Sequence, residues 1–235
     1  MDFLIRQEML LGKEQNEKLK NAKIIVFGIG GVGGFSVEAL ARAGVCNIAL
    51  VDSDRVEISN INRQIVADHS TIGKLKTEVM KERILKINPN ACVKTFNTFY
   101  LKETADEINL EDYDYIIDAI DTVSAKLELI SRAKEKNIKI ISCMGTGGKL
   151  DITALKVVDV YQTKNCPLSR VMRRELKKRN ISSLKVVYSS QSLAKASGEE
   201  NIKNSTRPSV PSMIFVPATA GLLLASEVVK EILGV

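Results

Sequence analysis

The sequence lacks the features that mark several large protein classes. Its four cysteines include no CxxC pair, which argues against a zinc ribbon or a thioredoxin-type redox site and favours reduced thiols in a cytosol. The longest apolar stretch, residues 213–225, is too short and too interrupted by proline and glycine to span a bilayer. The first twenty or so residues carry acids and no continuous apolar core, unlike a signal peptide. We therefore expect a cytoplasmic protein without membrane association and without zinc.

The residues that are present favour a globular α/β protein. The chain has 235 residues, of which 45% are hydrophobic and 26% charged, and this composition excludes disordered, collagen-like and disulfide-stapled classes. Short β-branched runs alternate with segments of helical spacing, which predicts a doubly wound, Rossmann-like, mainly parallel sheet. The predicted strands are 23–27, 47–52, 92–96, 114–118 and 138–142, and the predicted helices between them are 32–43, 74–87 and 123–136.

The last third of the chain predicts a crossover and a strand added to that sheet. A helix at 168–179, a strand at 184–189, a polar loop at 190–211 and a helix at 217–233 follow in order. We expect one domain in three parts. These are an N-terminal arm (1–22), a nucleotide-binding half (23–145) and a substrate-side half (146–235).

The positive charge of the chain is concentrated in one segment. The formal net charge is +6, whereas residues 164–207 hold eleven Lys and Arg against three Glu, a local +8, so the rest sums to −2. Such a segment is either a solvated helix face beside a polar loop or a contact surface for nucleic acid. The candidate RNA-binding cations are Arg170, Arg173, Arg174, Lys177, Lys178 and Arg179.

A glycine-rich motif predicts a nucleotide site. Residues 28–33 read GIGGVG, follow a strand and open a helix, so their backbone N–H groups can approach phosphate at a helix N-terminus. Asp52 ends the second predicted strand, where a carboxylate accepts ribose hydroxyls. An NAD-dependent dehydrogenase shares this pattern, but a P-loop enzyme is excluded because no GxxxxGK[ST] is present. The predicted nucleotide-binding glycines are Gly28, Gly30, Gly31 and Gly33.

The residues after Asp52 favour ATP over NAD. Asn60, Arg63 and Lys76 follow in order, and two cations at the phosphates serve a triphosphate and its departing pyrophosphate. Asp118 and Asp121 then flank a strand end, where a carboxylate can hold Mg²⁺ against the phosphates.

Together these motifs resemble the adenylating enzymes related to ubiquitin-activating E1 proteins, including the MoeB, ThiF and HesA branches. The shared pattern is GxGGxG, an acidic strand end, SNxNRQ, a lysine and DxxD, over roughly residues 1–145. The resemblance implies that Asp52 binds ribose, that Asn60, Arg63 and Lys76 contact phosphates, and that Asp121 holds Mg²⁺-ATP. It also implies a homodimer in which Arg6 reaches the partner's ATP. Arg6, Arg63, Lys76 and Asp121 are thus the expected catalytic residues.

The C-terminal half resembles one branch of that family, the tRNA threonylcarbamoyladenosine dehydratases, through VMRRELKKRNI and FVPATAG. That resemblance implies ATP-dependent dehydration of the modified adenosine at position 37 of tRNA through a carboxyl-adenylate. The carbamoyl group then closes a ring intramolecularly, so no protein thiol is needed. Two alternatives remain: adenylation of a sulfur-carrier protein's C-terminal glycine, and a non-catalytic scaffold serving a cysteine desulfurase. The role of Cys166, near Lys164 and Arg170, stays open.

Overall fold

Seven β-strands form one sheet at the centre of the fold. The computed structural model describes residues 3–192 and 210–235. The strands are β1 (Lys23–Phe27), β2 (Asn47–Val51), β3 (Cys92–Phe96), β4 (Tyr115–Asp118), β5 (Lys139–Cys143), β6 (Leu155–Asp159) and β7 (Lys185–Ser189). Their order across the sheet is β3-β2-β1-β4-β5-β7-β6. All neighbours are parallel except β6, which pairs antiparallel with β7.

The strand order reverses between β1 and β4, and this reversal creates the crevice where ligands bind in doubly wound sheets. One half of the sheet grows from β1 to β3 and the other from β4 to β6. Because both strands end at the same edge, the loops after Phe27 and Asp118 meet there. In register, Phe27 lies beside Asp118.

Helices cover both faces of the sheet. They are α1 (Ile5–Leu11), α2 (Lys13–Asn21), α3 (Gly33–Arg42), α4 (Lys76–Ile87), α5 (Val123–Glu135), α6 (Pro167–Lys178) and α7 (Phe215–Leu233). In β1, Ile24 and Val26 enter the core shared with α3, α4 and α7, whereas Ile25 and Phe27 enter the core shared with α5 and α6. Burial on both faces explains why the parallel strands read as unbroken apolar runs.

The predicted fold class is confirmed, with strand and helix ends within about two residues of those expected from the sequence. Strand β6 was not predicted, because LKVVD is a short edge strand that is only partly buried. Of the predicted loop 190–211, residues 193–209 lie outside the described residues. In the part of the chain that is described, no helix is long and apolar enough to cross a membrane.

The N-terminal arm forms the two short helices α1 and α2, which pack against the far end of α3. Gln7 Nε2 donates to the Ala43 carbonyl at 2.9 Å, and Leu4 packs so closely on Gly44 that a Cβ there would lie 2.6 Å from Leu4 Cδ1. The outer side of α1 leaves large apolar side chains exposed, among them Met9 (83%) and Leu10 (82%).

Candidate active site

The loop after β1 requires two of its glycines for steric reasons. Gly28 has φ +86°, and a Cβ there would lie 2.7 Å from the Ala119 carbonyl oxygen. A Cβ on Gly33 would lie 1.8 Å from the Gly28 carbonyl oxygen. Only glycine permits both approaches, and the result is a tight turn that brings the start of α3 against the end of β4.

Gly30 and Gly31 are placed differently from the two structural glycines. A Cβ on Gly30 would meet nothing nearer than Gln64 Nε2, at 3.9 Å, so the protein itself does not require glycine at this position. Gly31 faces Arg63 and Pro217, with the nearest approach 3.3 Å. The open space over Gly30 lies at the N-terminal end of α3, where unpaired N–H groups and the helix dipole favour an anion.

Asp52 follows β2 and is hydrogen-bonded to the glycine loop. Its Oδ2 accepts the backbone N–H of Ile29 at 2.6 Å, and its Oδ1 accepts that of Asp54 at 2.8 Å. Burial raises the pKa of Asp52, although Lys76 and the two backbone N–H groups oppose the shift. The carboxylate therefore lies where the sequence predicted a ribose ligand, with its geometry fixed by main-chain donors.

The SNxNRQ segment forms a short 3₁₀ turn, Ile58–Asn60, beside the glycine loop. Asn60 is buried, and its Oδ1 accepts the Glu57 N–H at 3.2 Å. The Arg63 guanidinium donates to the Ser59 carbonyl at 2.7 Å and to Asn62 Oδ1 at 3.0 Å. These contacts hold the Arg63 side chain against the turn formed by residues 59–62, and Arg63 lies close to Gly31.

Gln64 is a candidate functional residue to which the sequence motifs gave no role. Its side chain is 8% exposed, its amide points at Gly30, and its Oε1 finds no hydrogen-bond partner among residues 3–192 and 210–235. Buried polar atoms are normally paired, so the unpaired oxygen makes Gln64 a candidate contact for a bound ligand, and its amide nitrogen lies nearest to Gly30. The sequence signal was its place directly after Arg63.

Lys76 begins α4 and is 5% exposed. Its Nζ lies 2.7 Å from Asp54 Oδ2, whereas the Asp54 side chain itself is 62% exposed. The ammonium is also close enough to Asp52 to lower that carboxyl's pKa. The structure therefore brings Lys76 near Asp52, the carboxylate that is hydrogen-bonded to the glycine loop.

The two aspartates of the DxxD motif have different surroundings. Asp118 is fully buried and forms an ion pair with Lys126, Nζ to Oδ2 at 2.9 Å, so it is not available to a metal ion. Asp121 is exposed at the start of α5 and accepts a hydrogen bond from Thr122 Oγ1 at 3.2 Å. Of the two, only Asp121 is free to face a nucleotide.

Arg6 lies on exposed helix α1, at the end of α3 opposite the glycine loop. A ten-residue helix is about 15 Å long. The structure therefore does not bring Arg6 together with Arg63, Lys76 or Asp121 of the same chain.

Cys166 caps the N-terminus of α6, and its Sγ accepts the Ser169 N–H at 3.5 Å. Burial raises the pKa of this thiol, but hydrogen bonds from Ser169 and Gly145 and the Lys149 ammonium outweigh burial and lower it. Lys149 is itself buried, with Nζ donating to the Ser189 carbonyl at 2.8 Å. The thiol is buried, which the sequence did not predict.

The six candidate RNA-binding cations on and after α6 are not equivalent. Arg173 donates to the Thr163 carbonyl at 2.8 Å and so supports the fold. Lys178, Arg174 and Arg179 surround Glu175 and lower its pKa to about 2. Arg170 and Lys177 have no ion pair among the described residues, so their charges are the ones most available to a partner.

These features define a class: a doubly wound α/β protein with a nucleotide site at the switch point between β1 and β4. The family follows from the match to a family model. The chain belongs to the ThiF family, whose model matches residues 4–235. The resemblance to E1-related adenylating enzymes that the motifs indicated is thereby confirmed.

Comparison with individual proteins shows which members of the family the chain is similar to. The chain is 39% identical to the tRNA threonylcarbamoyladenosine dehydratase of Bacillus subtilis (strain 168), over 97% of this chain and 93% of that protein. It is 38% identical to the dehydratase of Haemophilus influenzae, over 92% and 87%. Crystal structures of the E. coli tRNA N6-threonylcarbamoyladenosine dehydratase superpose with TM-scores of 0.89 (in complex with AMP) and 0.86 (with ATP). Both are 32% identical and cover 97% of this chain and 93% of that one.

Proposed function

We propose that the protein catalyses ATP-dependent dehydration of N6-threonylcarbamoyladenosine at position 37 of tRNA, through a carboxyl-adenylate. The observation that carries the proposal is the match to dehydratases along almost the whole chain. The basic C-terminal third, whose motifs resemble this branch, is included in that match. A tRNA substrate also agrees with a cytoplasmic location.

The residues at the glycine loop fit ATP. The space over Gly30 is a cradle that a Cβ would narrow, and the α3 N-terminus offers N–H donors to phosphate. Arg63 and Lys76 supply two cations, and a diphosphate cofactor such as NAD needs no such pair. Asp52 accepts ribose hydroxyls, and the Gln64 amide supplies a further polar contact.

Mg²⁺ fits this arrangement through Asp121. The ion is commonly held by one or two carboxylates together with substrate phosphates and waters, so a single exposed aspartate is sufficient. A cluster of three or more metal-ligating side chains is not present among residues 3–192 and 210–235. We therefore assign Mg²⁺ to the substrate complex, with Asp121 as its protein ligand.

The chemistry balances without a protein nucleophile. The threonyl carboxylate attacks the α-phosphate of ATP, which forms the acyl-adenylate and releases pyrophosphate, and Arg63 and Lys76 stabilise the departing charge. The carbamoyl group then attacks the activated carbonyl and gives up one N–H proton to solvent, the ring closes, and AMP leaves with the carboxylate oxygen. The net change in the nucleoside is loss of one water. Such intramolecular closures reach effective molarities of about 10⁵–10⁸ M, which is consistent with the burial of Cys166.

The proposed RNA surface is the outward side of α6. Its cations extend from Arg170 to Arg179, and Arg170 and Lys177 are the two without ion pairs in the described part of the chain. The phosphate backbone dominates the affinity of nucleic-acid complexes, so these two side chains are the main expected contacts. The contributions of Lys195, Lys203 and Arg207 lie outside the described residues.

The proposed homodimer is supported by the position of Arg6. Its helix α1 packs at the end of α3 opposite the glycine loop, and a ten-residue helix is about 15 Å long. Exposed Met9 and Leu10 lie near Arg6 on α1. If Arg6 reaches ATP, it therefore does so in a second subunit. A two-fold interface lets each subunit give one arginine and receive one.

The proposal is tested by following pyrophosphate release. Protein and Mg²⁺-ATP are incubated with tRNA carrying threonylcarbamoyladenosine, with tRNA lacking it, or with a protein ending in Gly-Gly. Release that depends on the modified tRNA supports the proposal. Release that depends on the Gly-Gly protein would instead establish sulfur-carrier activation.

A further inference from the structure

Lys126 and Asp118 form a fully buried ion pair directly behind the candidate site. Both side chains are 0% exposed, and Nζ lies 2.9 Å from Oδ2. Taking two charges out of water is costly, and apolar residues of similar volume often stabilise a core as well or better. The proposed mechanism gives neither residue a role, so stability alone is a weak reason for the pair.

The pair is closed into a ring by one residue of the intervening turn. Lys126 Nζ donates to the Ile120 carbonyl at 3.0 Å, and the Ile120 N–H donates to Asp118 Oδ1 at 3.1 Å. Both backbone groups of Ile120 are thereby held. The turn also touches the glycine loop, because the Ala119 carbonyl lies 2.7 Å from where a Gly28 Cβ would be.

Asp121 is the next residue after this ring. Its side chain is exposed, so the direction in which it points depends on the turn that carries it. We infer that Lys126 and Asp118 are a positioning pair, which fixes the 118–121 turn so that Asp121 meets the Mg²⁺ of Mg²⁺-ATP. The inference rests on the proposed Mg²⁺-ATP site and adds two residues that act through Asp121 without touching the nucleotide.

The test measures nucleotide binding, which does not require the tRNA reaction. ATP is titrated by calorimetry into protein with Mg²⁺ and, separately, with EDTA, and the ratio of the two Kd values gives the Mg²⁺-dependent affinity. The variant D118N/K126M removes both charges together, so neither is left buried alone. The control is E231Q/K185M, which removes the partly exposed ion pair of Lys185 and Glu231, 2.7 Å apart on β7 and α7.

D118N/K126M is expected to lose about 10–100-fold in Mg²⁺-dependent affinity, the usual effect of removing a group that orients a metal ligand. ATP affinity in EDTA should stay near wild type, and the control pair should change neither value. Adding D121A to the pair variant should cause no further loss, since all three residues serve one contact. A pair variant that keeps the wild-type ratio, or whose loss adds to that of D121A, would overturn the inference.

Two further variants keep the test decisive. The single variant K126R retains a cation within reach of Asp118 and should keep most of the wild-type Mg²⁺-dependent affinity. If the pair variant does not fold, as judged by its thermal unfolding, D118N alone is compared with K126R in the same titration, and equal ratios for the two would overturn the inference. A wild-type protein without Mg²⁺-dependent affinity would also overturn it. Failure of the tRNA reaction alone would not, so the two proposals fail separately.

Discussion

Asp52 Oδ2 accepts the backbone N–H of Ile29 at 2.6 Å, so the carboxylate after β2 is tied to the glycine loop after β1. The proposed ribose ligand and the proposed phosphate cradle are therefore one hydrogen-bonded unit across two neighbouring strands. A substitution in either part is expected to disturb the other.

Asp52 has a pKa raised by burial, and the sign of its effect on stability follows. A carboxyl that binds its proton more tightly in the folded state than in the unfolded state contributes stability that is lost as pH rises through the folded pKa. Urea denaturation gives the free energy of unfolding of wild type and of Asp52→Asn. The difference between them, wild type minus variant, is therefore expected to fall as pH rises through the folded pKa of Asp52. A difference that is constant or rises with pH would contradict the assignment.

Gly30 and Gly33 are expected to respond differently to alanine. Gly33→Ala places a Cβ 1.8 Å from a backbone oxygen, so the free energy of unfolding should fall by about 1–3 kcal/mol or more. Gly30→Ala has room in the protein itself and should unfold near the wild-type temperature, but ATP should bind more weakly because the backbone can no longer approach phosphate. Calorimetry of unfolding and of ATP binding checks both. If Gly30→Ala binds ATP normally, the phosphates lie elsewhere.

The cations of α6 give a prediction about salt dependence. The double variant Arg170→Ala with Lys177→Ala should weaken tRNA binding without affecting ATP affinity. The slope of the logarithm of the binding constant against the logarithm of salt concentration should become shallower by roughly 0.7–0.9 for each phosphate that is no longer neutralised. Arg173→Ala should lower stability instead, because Arg173 donates to Thr163. The matched control is Lys86→Ala with Lys94→Ala, two exposed lysines on α4 and β3. Equal salt slopes for the two double variants would show that α6 is only a solvated face.

The position of Arg6 predicts complementation between subunits. Arg6→Ala and Asp121→Ala are each expected to be inactive alone. After subunit exchange of an equal mixture, one site in each mixed dimer has both residues intact, so about a quarter of wild-type activity should return. The readout is turnover of modified tRNA before and after exchange. Activity that stays at background would mean that Arg6 acts within its own chain, and an Arg6→Ala variant that is active alone would mean that Arg6 has no role.

The sequence predicted the fold more completely than the site. The hydrophobic periodicity, the helix- and strand-breaking residues and the glycines located six parallel strands, β1 to β5 and β7, and the helices between them. Residues such as Ile24 to Phe27 are buried on both faces and read as continuous apolar runs. The edge strand β6 escaped because half-buried LKVVD has no such signal. Asp118 and Asp121 look alike in sequence, and only the structure shows that Asp118 is buried and paired with Lys126 whereas Asp121 is exposed. The burial of Gln64 beside Gly30 and the hydrogen bonds of Arg173 to Thr163 likewise depend on packing that no sequence pattern shows.

Mass spectrometry of tRNA nucleosides after incubation with the protein, ATP and Mg²⁺ measures the proposed dehydration itself. Arg63→Ala, which removes a proposed phosphate contact from a partly exposed position, serves as the folded control. With wild-type protein, threonylcarbamoyladenosine should lose the mass of one water, and only when ATP is present. With Arg63→Ala the same loss should be far slower. Threonylcarbamoyladenosine that remains unchanged while the protein binds ATP would contradict the proposed function.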